Sequence, residues 1–187
     1  MPSPADPLRR TLVCHPAAPC AAPIDVNVEL TVRGRELDLA YRMGGDVAQL
    51  QVPTSPLPTD RLWAYTCCEL FAAGERGEGY LEWNFSPTGQ SAHFGFSGYR
   101  QRTAELDSTE IPITTSRDAD ALLLRCSATL PAHLGDALQL GISTVLQDRN
   151  GAQSYWALHH PATKPDFHDR GGFVLALDLD TVPARSS

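Results

Sequence analysis

The sequence predicts an all-β protein, an antiparallel β-sandwich of the immunoglobulin-like or jelly-roll kind with about nine to ten short strands. Three observations support this fold class. Apolar residues alternate with polar ones in most segments, which is the period of half-buried strands. The 14 glycines and 15 prolines punctuate these segments at short intervals. No segment shows the period of an amphipathic helix. Together these features favour a sandwich over a helical or mixed fold.

The first predicted strands form a hairpin. Residues 24–32 alternate apolar and polar side chains, Arg33-Gly34-Arg35 forms a turn, and residues 37–43 alternate again. A further strand is predicted at 47–52. Residues 53–58 are rich in proline, which cannot donate a ladder hydrogen bond, so this segment is a connection.

The later predicted strands cover 67–73, 80–86, 91–97, 122–129, 137–146, 154–159 and 173–178. The glycine-rich segment 74–79 joins the first two, and Asn150-Gly151 is a strong hairpin signal. Within 80–86, side chains of alternating residues share a face. We therefore predict that Leu81, Trp83 and Phe85 face the core and that Glu82 and Asn84 face away from it.

Length and cysteine content indicate one domain without disulfides or a metal. The 187 residues are enough for one hydrophobic core. We expect a loosely ordered segment at 1–23, the β-sandwich at 24–180 and a tail at 181–187. The five cysteines are an odd number without a C-x2-C pair, so we expect free thiols and no metal site.

Composition restricts the partners. The formal charge of −7 and a pI near 5.2 argue against nucleic acid as a ligand. No export signal or apolar span is visible, which predicts a soluble cytoplasmic protein with no membrane contact. The expected partner is a small molecule.

The strands 67–73 and 80–86 carry two carboxylates on the predicted polar face. If the loop closes symmetrically between Glu75 and Arg76, then Glu69 lies opposite Glu82, and Cys67 opposite Asn84. Such a pair requires a cation such as Arg100, a shared proton or a ligand's hydroxyl groups, although a surface cation or water would also serve. A glycosidase also uses paired carboxylates, but the chain lacks cleft-building insertions, so we predict no catalytic residues.

The segment 155–168 concentrates polar and aromatic side chains, and Pro161 and Pro165 within it indicate a rigid loop. A metal site from His159 or His160 with Asp166 and His168 matches no standard spacing. The alternative is that the loop stabilises itself through hydrogen bonds to its own backbone. Trp156 either stacks on a sugar or fills the core.

Two long motifs resemble a known family. The run from Tyr80 to Pro87 (YLEWNFSP), together with Tyr155-Trp156-Ala157-Leu158-His159-His160-Pro161 and Lys164-Pro165-Asp166-Phe167-His168, resembles bacterial DOMON-like proteins related to family 9 carbohydrate-binding modules. The resemblance covers most of residues 24–180. It implies a β-sandwich whose ligand is a sugar or haem. It also implies a sugar site built from Trp63, Glu69, Glu82, Asn84, Arg100 and Trp156, with a rim formed by His159, Lys164, Asp166 and His168.

The sequence thus predicts a non-catalytic module for a carbohydrate or a similar polyhydroxylated molecule, without a cofactor. The first alternative is haem binding, in which Met43 would pair with His159, His168 or Lys164, although no C-x-x-C-H attachment motif is present. The second alternative is a structural or protein-interaction sandwich that uses its exposed sheet edge.

Overall fold

Twelve antiparallel strands form one continuous curled sheet in the computed structural model, which describes residues 6–105 and 111–181. The strands are β1 (Leu8–Cys14), β2 (Ile24–Arg33), β3 (Glu36–Gly45), β4 (Cys67–Gly74), β5 (Tyr80–Phe85), β6 (Ser91–Phe96), β7 (Arg102–Glu105), β8 (Thr114–Arg117), β9 (Ala121–Thr129), β10 (Ala137–Gln147), β11 (Gln153–Ala157) and β12 (Leu175–Asp178). Their order is β7-β6-β5-β4-β10-β11-β1-β2-β3-β9-β8, and β12 also pairs with β10. The all-β prediction is confirmed. The sandwich and the count of nine to ten strands are not confirmed, because the described residues form one curled sheet of twelve strands.

The two halves of the sheet enclose one hydrophobic core. The alternation predicted for β2 and β3 places one face of each strand in this core, and the same holds for β4, β5, β9 and β10. Leu81, Trp83 and Phe85 lie in it as predicted. We call the side of the sheet that carries these residues the core face.

Strand β1 joins the two halves. It pairs with β2 from Leu8↔Leu30 to Leu12↔Val26 and with β11 at Val13↔Ala157. Leu12 is buried in the core. The segment 1–23 was expected to be loosely ordered, but its residues 8–14 form this central strand. Residues 1–5, and the predicted tail except Thr181, lie outside the described part of the chain.

The strand expected at 47–52 is absent, because the chain turns away from the sheet at Gly45. This glycine has φ of +105°, and a Cβ atom there would lie 2.1 Å from the carbonyl oxygen of Pro23. Val47–Gln49 forms a 3-10 helix, and only Leu50 makes an isolated bridge, to Asp148. Within residues 6–105 and 111–181, no helix is long and apolar enough to cross a membrane.

A second apolar cluster lies on the opposite side of β4, β5 and β6, which we call the cleft face. The loop 158–174 covers part of this face, and its Phe173 packs with Phe71 and Tyr80. A Cβ atom on Gly141 would lie 2.7 Å from the Phe173 ring, so this ring packs directly on the backbone of β10. The loop therefore forms a wall that rises from the sheet.

Candidate functional site

The register of β4 and β5 sets the positions of the two buried carboxyl groups. Glu69 pairs with Asn84, and Phe71 pairs with Glu82. The predicted pairing of Glu69 with Glu82 is therefore wrong by two residues, and Asn84 does not lie opposite Cys67. Because a shift of two residues preserves the face, both carboxyl groups still project from the cleft face. They are diagonal neighbours, with Cα atoms about 7 to 8 Å apart in such a pair.

An open cleft of about 850 Å³ lies over this pair. Its floor contains Glu69 and Glu82, which are only 3% and 4% exposed. The walls combine aromatic rings, cationic groups, loop residues and part of the N-terminal segment: Trp63, Phe94, Phe96, Tyr155, Phe167, Arg100, Arg102, Val145, Lys164, Pro165, Asp166, His168, Ala17 and Ala18. A second cavity of about 630 Å³ at the β4–β5 hairpin contains none of the predicted site residues.

Each floor carboxyl group has one oxygen held by a neighbouring side chain. Ser143 Oγ donates to Glu69 Oε2 at 3.3 Å, and Asn84 Nδ2 donates to Glu82 Oε1 at 2.5 Å. Burial raises the pKa of Glu69 well above its usual range, and the nearby charge of Glu82 raises it further. Burial also raises the pKa of Glu82, although Asn84, Arg102 and Arg100 oppose this shift. Both carboxyl groups therefore favour the protonated form more than exposed glutamates do.

Arg100 binds Asp166, which lies in the loop 158–174. Its guanidinium donates to Asp166 Oδ1 at 2.9 Å and to the Tyr99 hydroxyl at 3.3 Å. Its backbone has φ of +55° and its N–H donates to the Tyr80 hydroxyl at 3.2 Å. Burial acts to raise the pKa of Asp166, but hydrogen bonds from Tyr99 and Arg100 outweigh it and lower the pKa. The guanidinium therefore compensates Asp166 and makes no hydrogen bond to the floor carboxyl groups.

His168 lies between the aromatic cluster and the floor. The Tyr80 hydroxyl is 2.8 Å from its Nδ1, and its Nε2 is 3.8 Å from Glu82 Oε2. The rings of Phe71 and Phe96 contact it in edge geometry. Burial and the nearby charge of Arg100 lower the pKa of His168 to about 4, although Asp166 opposes this shift. The imidazole is therefore neutral near pH 7.

The structure separates the two ambiguous tryptophans. Trp63, in the 3-10 helix Thr59–Ala64, is 49% exposed and lines the cleft. Trp156 is 7% exposed and lies in the core, where its indole N–H donates to Ser154 Oγ at 3.0 Å. Of the two, only Trp63 presents its ring to the cleft.

The other predicted site residues also fall into those that line the cleft and those that do not. The cleft brings together Trp63, Glu69, Glu82, Arg100, Lys164, Asp166 and His168. Asn84 is fully buried and reaches the cleft only through its hydrogen bond to Glu82. His159 is exposed and does not line the cleft.

Sequence reasoning missed the part of the wall that comes from the N-terminal segment. The buried His15 donates from Nε2 to the Ala162 carbonyl at 3.1 Å and accepts at Nδ1 from the Ala17 N–H at 3.0 Å. His160 Nε2 donates to the Val13 carbonyl at 2.8 Å. These bonds fix residues 15–18 against the loop. The sequence predicted a loosely ordered segment at residues 1–23, and no local pattern indicated its contact with the loop 158–174.

Two observations concern the residues named for the metal and haem alternatives. Among residues 6–105 and 111–181, no three His, Cys, Asp or Glu side chains form a group that could hold a metal ion. Met43 is fully buried in the core, whereas His168 and Lys164 line the cleft on the other face of the sheet. Met43 therefore does not face the residues that were expected to pair with it at a haem iron. All five cysteines are free, as expected.

Solved structures share this architecture. The chain superposes on a proposed carbohydrate-binding protein from Bacteroides uniformis ATCC 8492 with a TM-score of 0.68 and 16% identity, over 91% of this chain and 85% of that one. It shares the fold of known carbohydrate-binding proteins. A family 9 carbohydrate-binding module from Caldicellulosiruptor kristjanssonii in complex with glucose gives a TM-score of 0.53, with 11% identity over 90% and 81% of the two chains. The same kind of module in complex with cellotriose gives 0.57, with 11% identity over 94% and 84%.

These structural similarities concern the fold alone. The sequence matches no protein-family model and no curated protein. At identities of 11% to 16%, the likeness concerns the path of the backbone.

Proposed function

We propose that this chain is a non-catalytic carbohydrate-binding module whose cleft holds a small sugar against Trp63. The observation that carries the proposal is the half-exposed indole of Trp63 in the same cleft as the buried polar floor of Glu69 and Glu82. A pyranose has apolar ring faces and a polar edge, and this cleft offers a surface for each. Its volume of about 850 Å³ is within the usual range for small-molecule sites.

The expected contacts follow from these two surfaces. The apolar face of a sugar ring would stack on Trp63, as apolar groups do on aromatic rings. Its hydroxyl groups would exchange hydrogen bonds with Glu69, Glu82 and Lys164. Each such bond contributes about 0.5 to 1.5 kcal/mol net, so several are needed for measurable affinity.

The state of the floor carboxyl groups favours binding over hydrolysis. A glycosidase requires one ionised carboxylate as nucleophile or base beside one protonated acid. Burial raises the pKa of both Glu69 and Glu82, which disfavours the ionised carboxylate that this reaction requires.

The fold comparisons support this proposal. Two of the structural neighbours are family 9 modules in complex with glucose or cellotriose. We infer that this chain is a distant member of that group, close to its DOMON-like branch, as the motifs at 80–87 and 155–168 imply.

Isothermal titration calorimetry with glucose, cellobiose and cellotriose tests the proposal. We expect millimolar or tighter binding of at least one sugar, and loss of that binding in Trp63→Ala. Val174→Ala is the matched control, because Val174 is an exposed apolar residue outside the cleft. No heat with any sugar at millimolar concentrations would refute a carbohydrate ligand.

A further inference from the structure

The floor of the cleft holds two buried carboxyl groups that would require a cation if both were ionised. Glu69 and Glu82 are diagonal neighbours on β4 and β5 and are almost completely buried. Two carboxyl groups this close repel each other when both are ionised, so they need a cation or protons. Arg100 is the cation expected there from the sequence, but its guanidinium donates to Asp166 and Tyr99.

The other groups around the pair leave its protonated form favoured. His168 Nε2 is 3.8 Å from Glu82, but burial keeps this imidazole neutral near pH 7. The Arg102 guanidinium lies 3.6 Å from the centroid of the Phe94 ring. Lys164 is exposed at the rim. The titratable and charged groups that line the cleft or lie against its floor are Cys67, Tyr80, Arg100, Arg102, Tyr155, Lys164, Asp166 and His168. Burial outweighs the cations among them, because the pKa of both glutamates remains raised.

The free floor oxygens and the aromatic walls suit a cationic group of the ligand. Ser143 holds one oxygen of Glu69 and Asn84 holds one oxygen of Glu82, and within residues 6–105 and 111–181 the second oxygen of each carboxyl group accepts no hydrogen bond. Trp63, Phe94, Phe96 and Phe167 surround the same volume. Aromatic faces attract cations, and the attraction is stronger where water is excluded. An ammonium group would meet both surfaces at once.

We propose that the Glu69–Glu82 pair binds the protonated amino group of an amino sugar, so that the preferred ligand is a 2-amino-2-deoxyhexose such as glucosamine. This inference rests on the proposed carbohydrate function and specifies its ligand class. A neutral hexose would fit the same cleft but would leave the pair without a cation. An N-acetylated sugar would lose both the charge and the small size of the amine.

The proposal has a thermodynamic signature. Before binding, the pair retains protons because it is buried. An incoming ammonium stabilises the ionised carboxylates, so binding releases protons to the buffer. The binding enthalpy of glucosamine should then depend on the ionisation enthalpy of the buffer, whereas that of glucose should not. The affinity for glucosamine should rise with pH as long as the amine stays protonated.

Calorimetry of the unaltered protein with glucosamine, glucose and N-acetylglucosamine at pH 6.5 tests this inference. We expect glucosamine to bind about tenfold or more tightly than the other two, as a hydrogen bond between charged groups adds that much. Glu69→Gln and Glu82→Gln should remove the preference. Glu75→Gln should retain it, because Glu75 is exposed on the β4–β5 loop outside the cleft.

The outcomes separate the two proposals. Tight glucosamine binding with proton release supports the amino-sugar site. Equal binding of glucose and glucosamine overturns it and leaves carbohydrate binding intact. If no sugar binds, carbohydrate binding fails, and the amino-sugar site fails with it. The comparison of ligands uses the unaltered protein, so the test does not depend on the folding of a variant.

Discussion

Asp166 and Arg100 form a 2.9 Å hydrogen-bonded ion pair that joins the loop 158–174 to the turn between β6 and β7. The same carboxylate accepts hydrogen bonds from Tyr99 and from the backbone N–H of His168. The Asp166 side chain thus connects the turn that carries Arg100 to the loop segment that carries His168. The shape of the cleft depends on this connection.

Replacing Asp166 tests its role as the connector. In Asp166→Ala, the loop loses its attachment to Arg100, and we expect sugar affinity to fall several-fold while the fold persists. The cost in unfolding free energy should be about 1 to 2 kcal/mol, because the pair is only partly exposed and several hydrogen bonds are lost. Urea unfolding and calorimetry measure both effects. Glu29→Ala, which breaks the exposed pair with Arg9, is the control and should change neither. Unchanged sugar affinity in Asp166→Ala would contradict this role.

The two separated tryptophans predict opposite phenotypes. Trp156→Ala removes a core side chain and should cost about 3 to 5 kcal/mol of stability. Trp63→Ala removes a half-exposed ring and should change stability by about 0.5 kcal/mol or less, while sugar binding is lost. Denaturant unfolding of both variants checks the first effect, and calorimetry of Trp63→Ala checks the second. A stable Trp156→Ala variant that fails to bind sugar would reverse the assignment.

From the hydrogen bonds of His15 we predict that the N-terminal segment stabilises the wall of the cleft. His15→Ala leaves the Ala162 carbonyl and the Ala17 N–H without their partner, which should cost about 1 to 3 kcal/mol. Hydrogen exchange should become faster in residues 159–168, because that loop loses its anchor. His133→Ala, at an exposed position in the 3-10 helix Ala132–Leu134, should leave both quantities unchanged. Equal exchange in the two variants would exclude this anchoring role.

His168 predicts a fall in stability on acidification. Burial lowers its pKa from 6.5 to about 4, so the unfolded chain takes up the proton first. Above pH 6.5 the group is neutral in both states and contributes no pH dependence. As the pH falls from 6.5 to 4, the folded state should lose roughly 3 kcal/mol relative to His168→Gln. Unfolding free energies of both proteins across this range measure the difference. Parallel profiles would show that His168 does not titrate as described.

The sequence predicted which face of a strand each side chain occupies more accurately than it predicted how the residues of neighbouring strands pair. Alternation in 80–86 correctly assigned Trp83 to the core and Glu82 to the opposite face, because parity depends only on local geometry. The pairing of Glu69 with Glu82 was wrong, because the length of the β4–β5 loop and the point where it turns depend on tertiary packing. The two-residue error moved the carboxyl groups along the strands and left them on the same face.

Other elements could not be predicted for identifiable reasons. Strand β1 buries only Leu12 among its seven residues, so it lacks the alternating pattern and is held mainly by backbone pairing with β2. Trp156 was ambiguous because an aromatic residue on a strand satisfies a core and a binding face equally well. The hydrogen bond from His15 to Ala162 joins residues 147 positions apart in the sequence, and no local sequence pattern predicts a contact at that separation.

The most direct test of the account is the NMR signal of the indole N–H groups during a sugar titration. The chain has three tryptophans, and Trp63→Phe assigns the signal of Trp63. The account predicts that glucose or glucosamine shifts the Trp63 indole signal in a saturable way, while the signals of the core residues Trp83 and Trp156 move little. A titration to millimolar sugar in which the Trp63 signal does not move would contradict a sugar site in this cleft.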